Sequence, residues 1–310
     1  MMNFDEFQKY FLTHVMEFMS PEEYGTSRVE LHEVLKINGP KLHGVCLKKD
    51  NVSVAPIIYL EELYQELQKG DSVNEVLSRF ASKYEKASKE LTDRIDIDDI
   101  PPIDQKKNIT YRLVNRHKNR EILRTSPHLC VLDLAKIYYV RISDTKSVRV
   151  THDMARNWGM SLEELDIAAM ENSLMSPCLF VPRPSEFIAK DVPEHGGYFS
   201  REPLNFDEVY CLSNEDMAFG AGTIIIPGVL KELGEKFNGD YYIIPSSLHE
   251  VMLIKKGGRL CAKDLQHILH DANQSVIKPA DYLSDQVYTY QRETGRMFIS
   301  TELMKHEKER

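Results

Sequence analysis

Apolar residues near the start of the chain recur every three or four positions. This spacing is typical of a helix that buries one face. The stripe consists of Phe4, Phe7, Phe11, Val15 and Phe18. The Ser20-Pro21 pair interrupts it, because proline lacks the backbone N–H that a helix interior donates. We therefore expect a first helix that ends near this pair.

The pattern then changes to alternating apolar and polar positions. The segment RVELHEVLKINGPKLHGVCLKK alternates around Asn38-Gly39, a pair that tolerates positive φ and often forms a hairpin turn. Helical spacing returns in IIYLEELYQELQKG, and SVNE (Ser72 to Glu75) is a capping box that opens a further helix to about Leu91. The pattern predicts an α-β-β-α-α unit over residues 1–94.

An acidic segment separates this unit from the rest of the chain. Residues 95–107 contain Pro101-Pro102 and lose helical periodicity, as linkers between two cores do. We expect a domain boundary here, a larger second domain over residues 108–300, and a charged tail over residues 301–310.

Short strands and helices fill the predicted second domain. Strand-like composition is found in NITYRLVN, VLDLAKIYYVRI, SVRVT, VYCLSN, DYYIIP, EVMLIKK and QVYTYQ. Thr151 and the SLEE box (Ser161 to Glu164) open two helices, and PGVLKELGEKF and DLQHILHDANQSV predict two more. Because DYYIIP and EVMLIKK follow each other without a helix between them, we expect an α+β fold with a mixed, mainly antiparallel sheet and flanking helices.

One segment of this domain shows little periodicity. Residues 177–203 contain Pro182, Pro184, Pro193 and the pair Gly196-Gly197. Loops of this length are uncommon in compact domains and usually serve a function. The sequence therefore predicts a long functional loop.

Amino-acid composition, net charge and cysteine spacing limit the classes of protein to which the chain can belong. The chain has 310 residues, 42% of them hydrophobic, and a formal charge of -9, so it predicts a globular protein for which nucleic acid is an unfavourable partner. The five cysteines are never spaced as CxxC, which argues against a disulfide framework or a zinc ribbon. With no apolar run of about 18 residues, we expect a cytoplasmic protein with no membrane span, and no cofactor motif is present.

The segment YYIIPSSLHEVMLIKK places hydroxyl, imidazole and carboxyl groups between two strands. Along an extended chain Ser247 and His249 share a face and Glu250 points the other way, so these three neighbours alone do not form a triad. One interpretation is turn chemistry, in which serine hydroxyls bond local backbone groups. The alternative is a hydrolase site in which His249 acts as the base for Ser247, with Glu250 or Asp133 and His128 converging from other strands.

Metal binding is a further alternative with weaker support. HEVML lacks the second histidine of HExxH. His267 and His270 lie one helical turn apart with Cys261 nearby, and His128 alternates with Cys130. A half-exposed helix face is the better explanation of His267 and His270, and SPCLF lacks the second cysteine of the deaminase PCxxC pattern. We predict no metal site from these residues.

Two segments suggest contact with an anion or an acidic partner. Gly220 and Gly222 lie between a strand and a helix, where backbone N–H groups are able to hold an anion, although a plain turn explains them too. The run YRLVNRHKNREILR concentrates basic residues, Arg116, Lys118 and Arg120 among them; a solvated face is the simpler explanation of this run.

Several of these motifs together resemble a known family. NITYRLVN, SPHLCVLDLA, VTHDMARNWGMSLEELDIAAMEN, YCLSNEDMAFGAGTIIIPGVL, DYYIIPSSLHEVMLI and LSDQVYTY are similar to domain-of-unknown-function family 5688, whose members are mainly clostridial. A more distant likeness, through the helix opening at Trp158, is to the YtpQ-like proteins. The resemblance implies a bacterial protein and brings no reaction or catalytic residue. The residues between His128 and Asp133 depart from the family pattern, which weakens any role of Cys130.

The sequence thus supports three hypotheses of different class. The first is a non-catalytic protein that binds an unknown protein, peptide or small ligand, through the 177–203 loop and a cleft between the units. The second is a hydrolase with a site around Ser247 and His249. The third is a metal-binding protein that uses histidines.

Overall fold

The computed structural model describes residues 2–49, 55–92, 106–142, 147–182 and 208–301. The chain divides into two compact units, residues 1–101 and 102–310. Most of the predicted 95–107 linker, most of the 177–203 loop and nearly all of the tail lie outside the described residues. None of the described helices has the length and apolar character needed to cross a bilayer.

The N-terminal unit combines a small antiparallel sheet with helices. Its elements are α1 (Phe4–His14), a 3-10 helix (Val15–Phe18), α2 (Pro21–Thr26), β1 (Ser27–Leu35), β2 (Lys41–Lys49), β3 (Ile58–Tyr59), α3 (Leu60–Gln68) and α4 (Val73–Thr92). The strands lie in the order β1-β2-β3. The predicted α-β-β-α-α order lacked α2 and β3, which are too short to produce a periodic pattern.

Local sequence signals fix the ends of these elements. Asn38 has φ +54 in the hairpin turn, a conformation that asparagine tolerates better than most residues. At the start of α4 the Glu75 carboxylate accepts the Ser72 N–H at 2.8 Å, and the Ser72 hydroxyl accepts the Glu75 N–H at 3.3 Å. These contacts confirm the predicted hairpin and capping box.

One apolar core holds the N-terminal unit together. It is formed by one face of α1, the inner side of β2, and α3 and α4, and it includes Phe7, Phe11, Val45, Leu47, Leu60, Leu63, Leu77 and Phe80. A buried hydroxyl adds a polar link: Tyr84 OH accepts the Leu47 N–H at 2.9 Å and donates to the Leu47 carbonyl at 3.0 Å. Alternate residues of β1 and β2 therefore face this core, and the others face outward.

The C-terminal unit contains two antiparallel sheets. Its strands are β4 (Ile109–Asn115), β5 (His128–Val131), β6 (Leu134–Arg141), β7 (Ser147–Arg149), β8 (Cys178–Pro182), β9 (Tyr210–Asn214), β10 (Tyr241–Ile244), β11 (Val251–Lys255), β12 (Tyr288–Gln291) and β13 (Arg296–Ile299). One sheet has the order β4-β6-β5, with β7 pairing β6, and the other has the order β13-β12-β10-β11-β9-β8. The predicted α+β class is confirmed.

Helices cover these sheets. They are α5 (Arg120–Thr125), α6 (His152–Asn157), α7 (Leu162–Leu174), α8 (Val229–Phe237), α9 (Ala262–Ser275) and two 3-10 helices (Gly220–Ile225 and Pro279–Asp281). The α7 helix packs on β4 and β6, α8 contacts β12, and α9 contacts β10. Under α8 an aromatic row crosses the larger sheet through Phe180, Tyr210, Phe237, Tyr241 and Tyr290.

The run 131–142, predicted as a strand in its second half, forms β6 after a turn at Leu132 with φ +55. Two other segments differ from their prediction. Residues 178–182, predicted as loop, form β8 and pair with β9. Residues 120–125 of the basic run form α5, with Ile122 and Leu123 buried. In each case tertiary pairing or burial decided a structure that local pattern left open.

Gly220 lies close to the backbone of two other segments, and its substitution tests the packing. A Cβ there would lie 2.0 Å from Ser213 Oγ, 2.5 Å from Asn214 N and 2.7 Å from the His249 carbonyl. Because two of these atoms are backbone, we expect Gly220→Ala to lower the free energy of unfolding by about 2 kcal/mol or more. Urea unfolding followed by circular dichroism measures the change.

Gly239→Ala is the matched control, because nothing lies within 4 Å of its added Cβ. It should change the free energy of unfolding by less than about 0.5 kcal/mol. Equal stability of the two variants would contradict the packing described for Gly220.

Candidate functional site

The connection between β10 and β11 is a tightly bonded turn. The Ser246 hydroxyl donates to the Glu250 carbonyl at 3.1 Å and lies 3.0 Å from its carboxylate. The Ser247 N–H donates to the Glu250 carbonyl at 3.3 Å, and the Ser247 hydroxyl accepts the His249 N–H at 3.0 Å. The serines and the glutamate therefore satisfy the local backbone.

The His249 ring has a partner at each nitrogen. Nδ1 accepts the Phe219 N–H at 3.3 Å, and Nε2 lies 3.3 Å from Asp281 Oδ1. Because an N–H donates to Nδ1, the proton of the neutral ring is on Nε2 and is donated to the carboxylate. No nitrogen is left to act as a base toward Ser247 in this geometry.

The carboxylate that orients His249 comes from outside the quoted segment. Asp281 ends a 3-10 helix 32 residues later, and its carbonyl also accepts the Leu248 N–H at 2.8 Å. Asp281 thus takes the role for which Glu250 and Asp133 were the candidates from the sequence. The sequence offers no sign of this role for Asp281 beyond its residue type, because 32 residues separate it from His249.

The same turn contacts two other elements. The Ser213 hydroxyl at the end of β9 donates to the His249 carbonyl at 2.7 Å, and the Ala221 N–H donates to the Leu248 carbonyl at 3.3 Å. The turn thus joins β9, the 220–225 helix and the 279–281 helix. The hydrogen bonds of the turn connect elements of the fold, so we call the turn a structural junction.

Asp133 forms a second junction, in the turn between β5 and β6. Its carboxylate accepts the Ser284 hydroxyl at 2.6 Å and the Tyr288 hydroxyl at 2.7 Å. Its carbonyl accepts the Arg116 N–H at 3.0 Å. Burial, and after it the Asp133 carboxylate, raise the pKa of Tyr288. Asp133 therefore links the smaller sheet to Ser284 and to Tyr288, the first residue of β12. It is not the carboxylate that contacts His249.

The remaining histidine candidates have separate surroundings. His128 Nδ1 lies 3.0 Å from the Ser126 carbonyl, a backbone contact. His267 and His270 are exposed on α9, where His270 Nε2 is 2.7 Å from Gln274 Nε2. In the part of the chain that the structure describes, no hydrogen bond joins the side chains of His128, Asp133 and Ser247, and no group of three potential metal ligands includes these histidines.

The candidate anion-binding residues are also placed by the structure. Gly220 and Gly222 are buried, the Gly222 N–H donates to the Phe219 carbonyl at 3.4 Å, and the Tyr111 hydroxyl donates to the Gly222 carbonyl at 2.8 Å. Close packing, rather than an exposed anion contact, accounts for these glycines.

The basic candidates follow the last residue of β4, Asn115. Lys118 Nζ lies 3.5 Å from the centre of the Tyr282 ring, and Arg120 Nη2 is 3.2 Å from His117 Nδ1. Lys118 and Arg120 are exposed and Arg116 is half-buried. An anion or acidic partner at these residues stays a prediction.

A groove that no sequence motif predicts lies beside α7. It has a volume of about 360 Å³ and is lined by Lys106, Lys107, Glu164, Ile167, Ala168, Glu171 and Asn172. We call it the α7 groove. The Asn172 side-chain amide donates to the carbonyls of Lys106 and Ile109, both at 2.7 Å, and Lys106 Nζ lies 3.7 Å from a Glu164 oxygen. These contacts hold the start of β4 against the helix.

The α7 helix is apolar on two sides. Its inner side buries Leu165, Ala168 and Ala169 against the sheet. Ile167 and Leu174, seven residues apart, share the outer side and are 49% and 43% exposed, and Met175 beyond the last turn is 86% exposed. We call Ile167, Leu174 and Met175 the α7 outer face. Helices at a protein surface usually carry polar residues in such positions.

An ion pair between a buried lysine and a half-buried aspartate fixes α7 to the sheet. Lys136 of β6 is 5% exposed, and its ammonium contacts the Asp166 carboxylate. The same carboxylate accepts the Tyr138 hydroxyl at 2.8 Å. Because the pair lies on the inner side of the helix, it sets which residues face outward.

Removal of the Asp133 carboxylate tests the second junction. Asp133→Ala leaves the buried hydroxyls of Ser284 and Tyr288 without their acceptor, so we expect the free energy of unfolding to fall by about 2–4 kcal/mol. Tyr288→Phe should cost about 1 kcal/mol in the wild type and much less when Asp133 is already alanine. Denaturant unfolding of the four chains of this double-mutant cycle measures the coupling.

Asp153→Ala provides the control, because this carboxylate is 80% exposed and pairs with neighbouring Arg156. Its effect should stay within about 0.5 kcal/mol. Additive costs for Asp133→Ala and Tyr288→Phe would contradict the bond between these side chains.

Comparison with known proteins gives one match. The model of a family described as "Family of unknown function (DUF5688)" matches residues 4–292, which confirms the resemblance noted in the sequence. No curated protein and no solved structure matches the chain. The likeness to the YtpQ-like proteins stays a prediction.

Proposed function

We propose, for a chain that belongs to the family of unknown function DUF5688, a non-catalytic role in binding, with a protein partner docked on the α7 groove and the α7 outer face. The observation that carries the proposal is the apolar outer side of a helix whose inner side is already packed. Adjoining exposed apolar residues beside a groove are typical of interaction sites.

The bonding of the serine–histidine turn supports a role without catalysis. A hydrolase needs a base with a free nitrogen beside its nucleophile. His249 has one nitrogen bonded to Phe219 N–H and the other to Asp281, while the Ser247 hydroxyl bonds a backbone N–H. Catalysis would require all three bonds to be exchanged first.

The groove itself favours a protein segment over a small molecule. Its lining combines apolar Ile167 and Ala168 with the basic residues Lys106 and Lys107 and the acidic residues Glu164 and Glu171. Small-molecule sites are usually enclosed and bury most of the ligand. An open groove of this composition suits an apolar side chain flanked by charges of both signs.

The energies are sufficient for a weak or moderate complex. Covering the exposed halves of Ile167 and Leu174 would contribute on the order of 1 kcal/mol each, from about 25 cal/mol per Å² of apolar surface. Apolar anchors at the centre of an interface carry most of its binding energy. The flanking charges would set orientation and association rate more than affinity.

Charged substitutions on the α7 outer face test the proposal. The tagged full chain is used to capture proteins from a lysate of its source, and the dissociation constant of each captured protein is then measured with purified components. We expect Ile167→Glu/Leu174→Glu to weaken binding of the partner by about tenfold or more, because two anchors are replaced by charges. Both side chains are partly exposed, so the fold should persist.

Ile268→Glu/Val276→Glu is the matched control, since Ile268 of α9 and Val276 just after it are 53% and 75% exposed and neither lines the groove. It should bind the partner as the wild type does. Equal binding by the α7 variant would overturn the proposal. A wild-type dimer that dissociates in the α7 variant, seen by light scattering, would assign the surface to self-association instead.

A further inference from the structure

A second cluster of reactive side chains lies in the N-terminal unit, on the outward face of the β1–β2 hairpin. In the hairpin register Glu30 is the cross-strand partner of Cys46, and His32 is the partner of Gly44. Residues two apart on a strand share a face, and cross-strand partners lie side by side. Glu30, His32 and Cys46 therefore converge while Val45 and Leu47 point into the core.

The distances within this cluster suit ligands of one ion. One atom each of Glu30, His32 and Cys46 lies within 4.8 Å of the others, and among the residues the structure describes no other group of three potential ligands meets this limit. His32 Nε2 lies 3.2 Å from Glu30 Oε2. A tetrahedral zinc ion holds its nitrogen and oxygen ligands about 3.4 Å apart and a sulfur and a nitrogen about 3.6 Å apart. Small side-chain rotations are enough to bring the three ligand atoms to these distances.

The two oxygens of Glu30 have different neighbours. Oε1 lies 3.5 Å from Arg28 Nε and 3.9 Å from Lys48 Nζ, whereas Oε2 is the atom that meets His32. The carboxylate can thus keep its contacts with the two cations through Oε1 while Oε2 binds an ion. Arg28 and Lys48 hold the Glu30 carboxylate in position. Their positive charges also repel a bound metal ion, which is an electrostatic cost to binding.

The ligand types favour a particular class of ion. Thiolate, imidazole and carboxylate together suit zinc and related borderline divalent ions, and not calcium or magnesium, which prefer oxygen alone. The Cys46 thiol gives up its proton when it binds such an ion, because the thiolate is the metal ligand. Three protein ligands leave a fourth position for water or for an external group.

The geometry points to a zinc-class divalent metal site formed by Glu30, His32 and Cys46. This inference goes beyond the proposed function and is independent of it, because it uses only residues of the N-terminal unit. It also differs from the metal hypothesis of the sequence analysis, which used His128, His249, His267 and His270.

Metal titration of the full chain tests the site. Protein stripped with a chelator and kept reduced is titrated with Zn²⁺ by calorimetry and with Co²⁺ by absorption. We expect about one high-affinity ion per chain and a sulfur-to-cobalt charge-transfer band, since Cys46 supplies a thiolate. His32→Gln and Cys46→Ala should each weaken binding about tenfold or more, and Cys46→Ala should remove the band.

Two controls separate this site from exposed groups elsewhere. His267→Gln/His270→Gln and Cys130→Ser/Cys261→Ser should bind as the wild type does. His32 is 48% exposed, so His32→Gln keeps the test valid even if Cys46→Ala, which changes a buried residue, unfolds. Absence of binding by the wild type, binding unchanged in His32→Gln, or loss of binding in either control would overturn the site.

Discussion

Hydrogen bonding of the backbone around the 245–250 turn is the constraint on which the C-terminal unit depends. Three separate elements, the end of β9, the 220–225 helix and the 279–281 helix, meet there through the Ser213 hydroxyl, the Ala221 N–H and the Asp281 carbonyl. Buried peptide groups without partners are costly. A histidine suits this place because one nitrogen accepts a backbone N–H while the other donates to a carboxylate. Structural need alone accounts for a composition that resembles a catalytic one.

Local signals made much of the fold predictable. The capping boxes at Ser72 and Ser161, and Asn38 in the hairpin, act within a few residues, and their contacts are present. Contacts between distant residues were not predictable in the same way. Asp281 meets His249 across 32 residues, and Tyr288 meets Asp133 across 155. A single sequence carries no sign of such pairs, because the residue types are common and the fold alone brings them together.

The metal cluster shows how register controls what a sequence reveals. A two-residue turn at Asn38-Gly39 would set Glu30 opposite Leu47. The connection actually runs from Lys36 to Pro40, and Glu30 faces Cys46. Shifting one strand by a single residue turns its side chains to the other face, so the cluster exists in only one of the two registers. The α7 outer face was hidden for another reason, since apolar residues on both sides of a helix predict burial rather than exposure.

The pair of buried Lys136 and half-buried Asp166 has a consequence for how the family can change. Loss of the Asp166 carboxylate leaves the Lys136 ammonium uncompensated in the interior, whereas replacement of both by apolar residues of similar volume is often tolerated. These two positions should therefore vary together among homologous chains, with ionic and apolar combinations common and mixed ones rare. Evolution along this lineage can reach the apolar form only through a poorly folded intermediate or a compensating change at Tyr138, the third member of the contact.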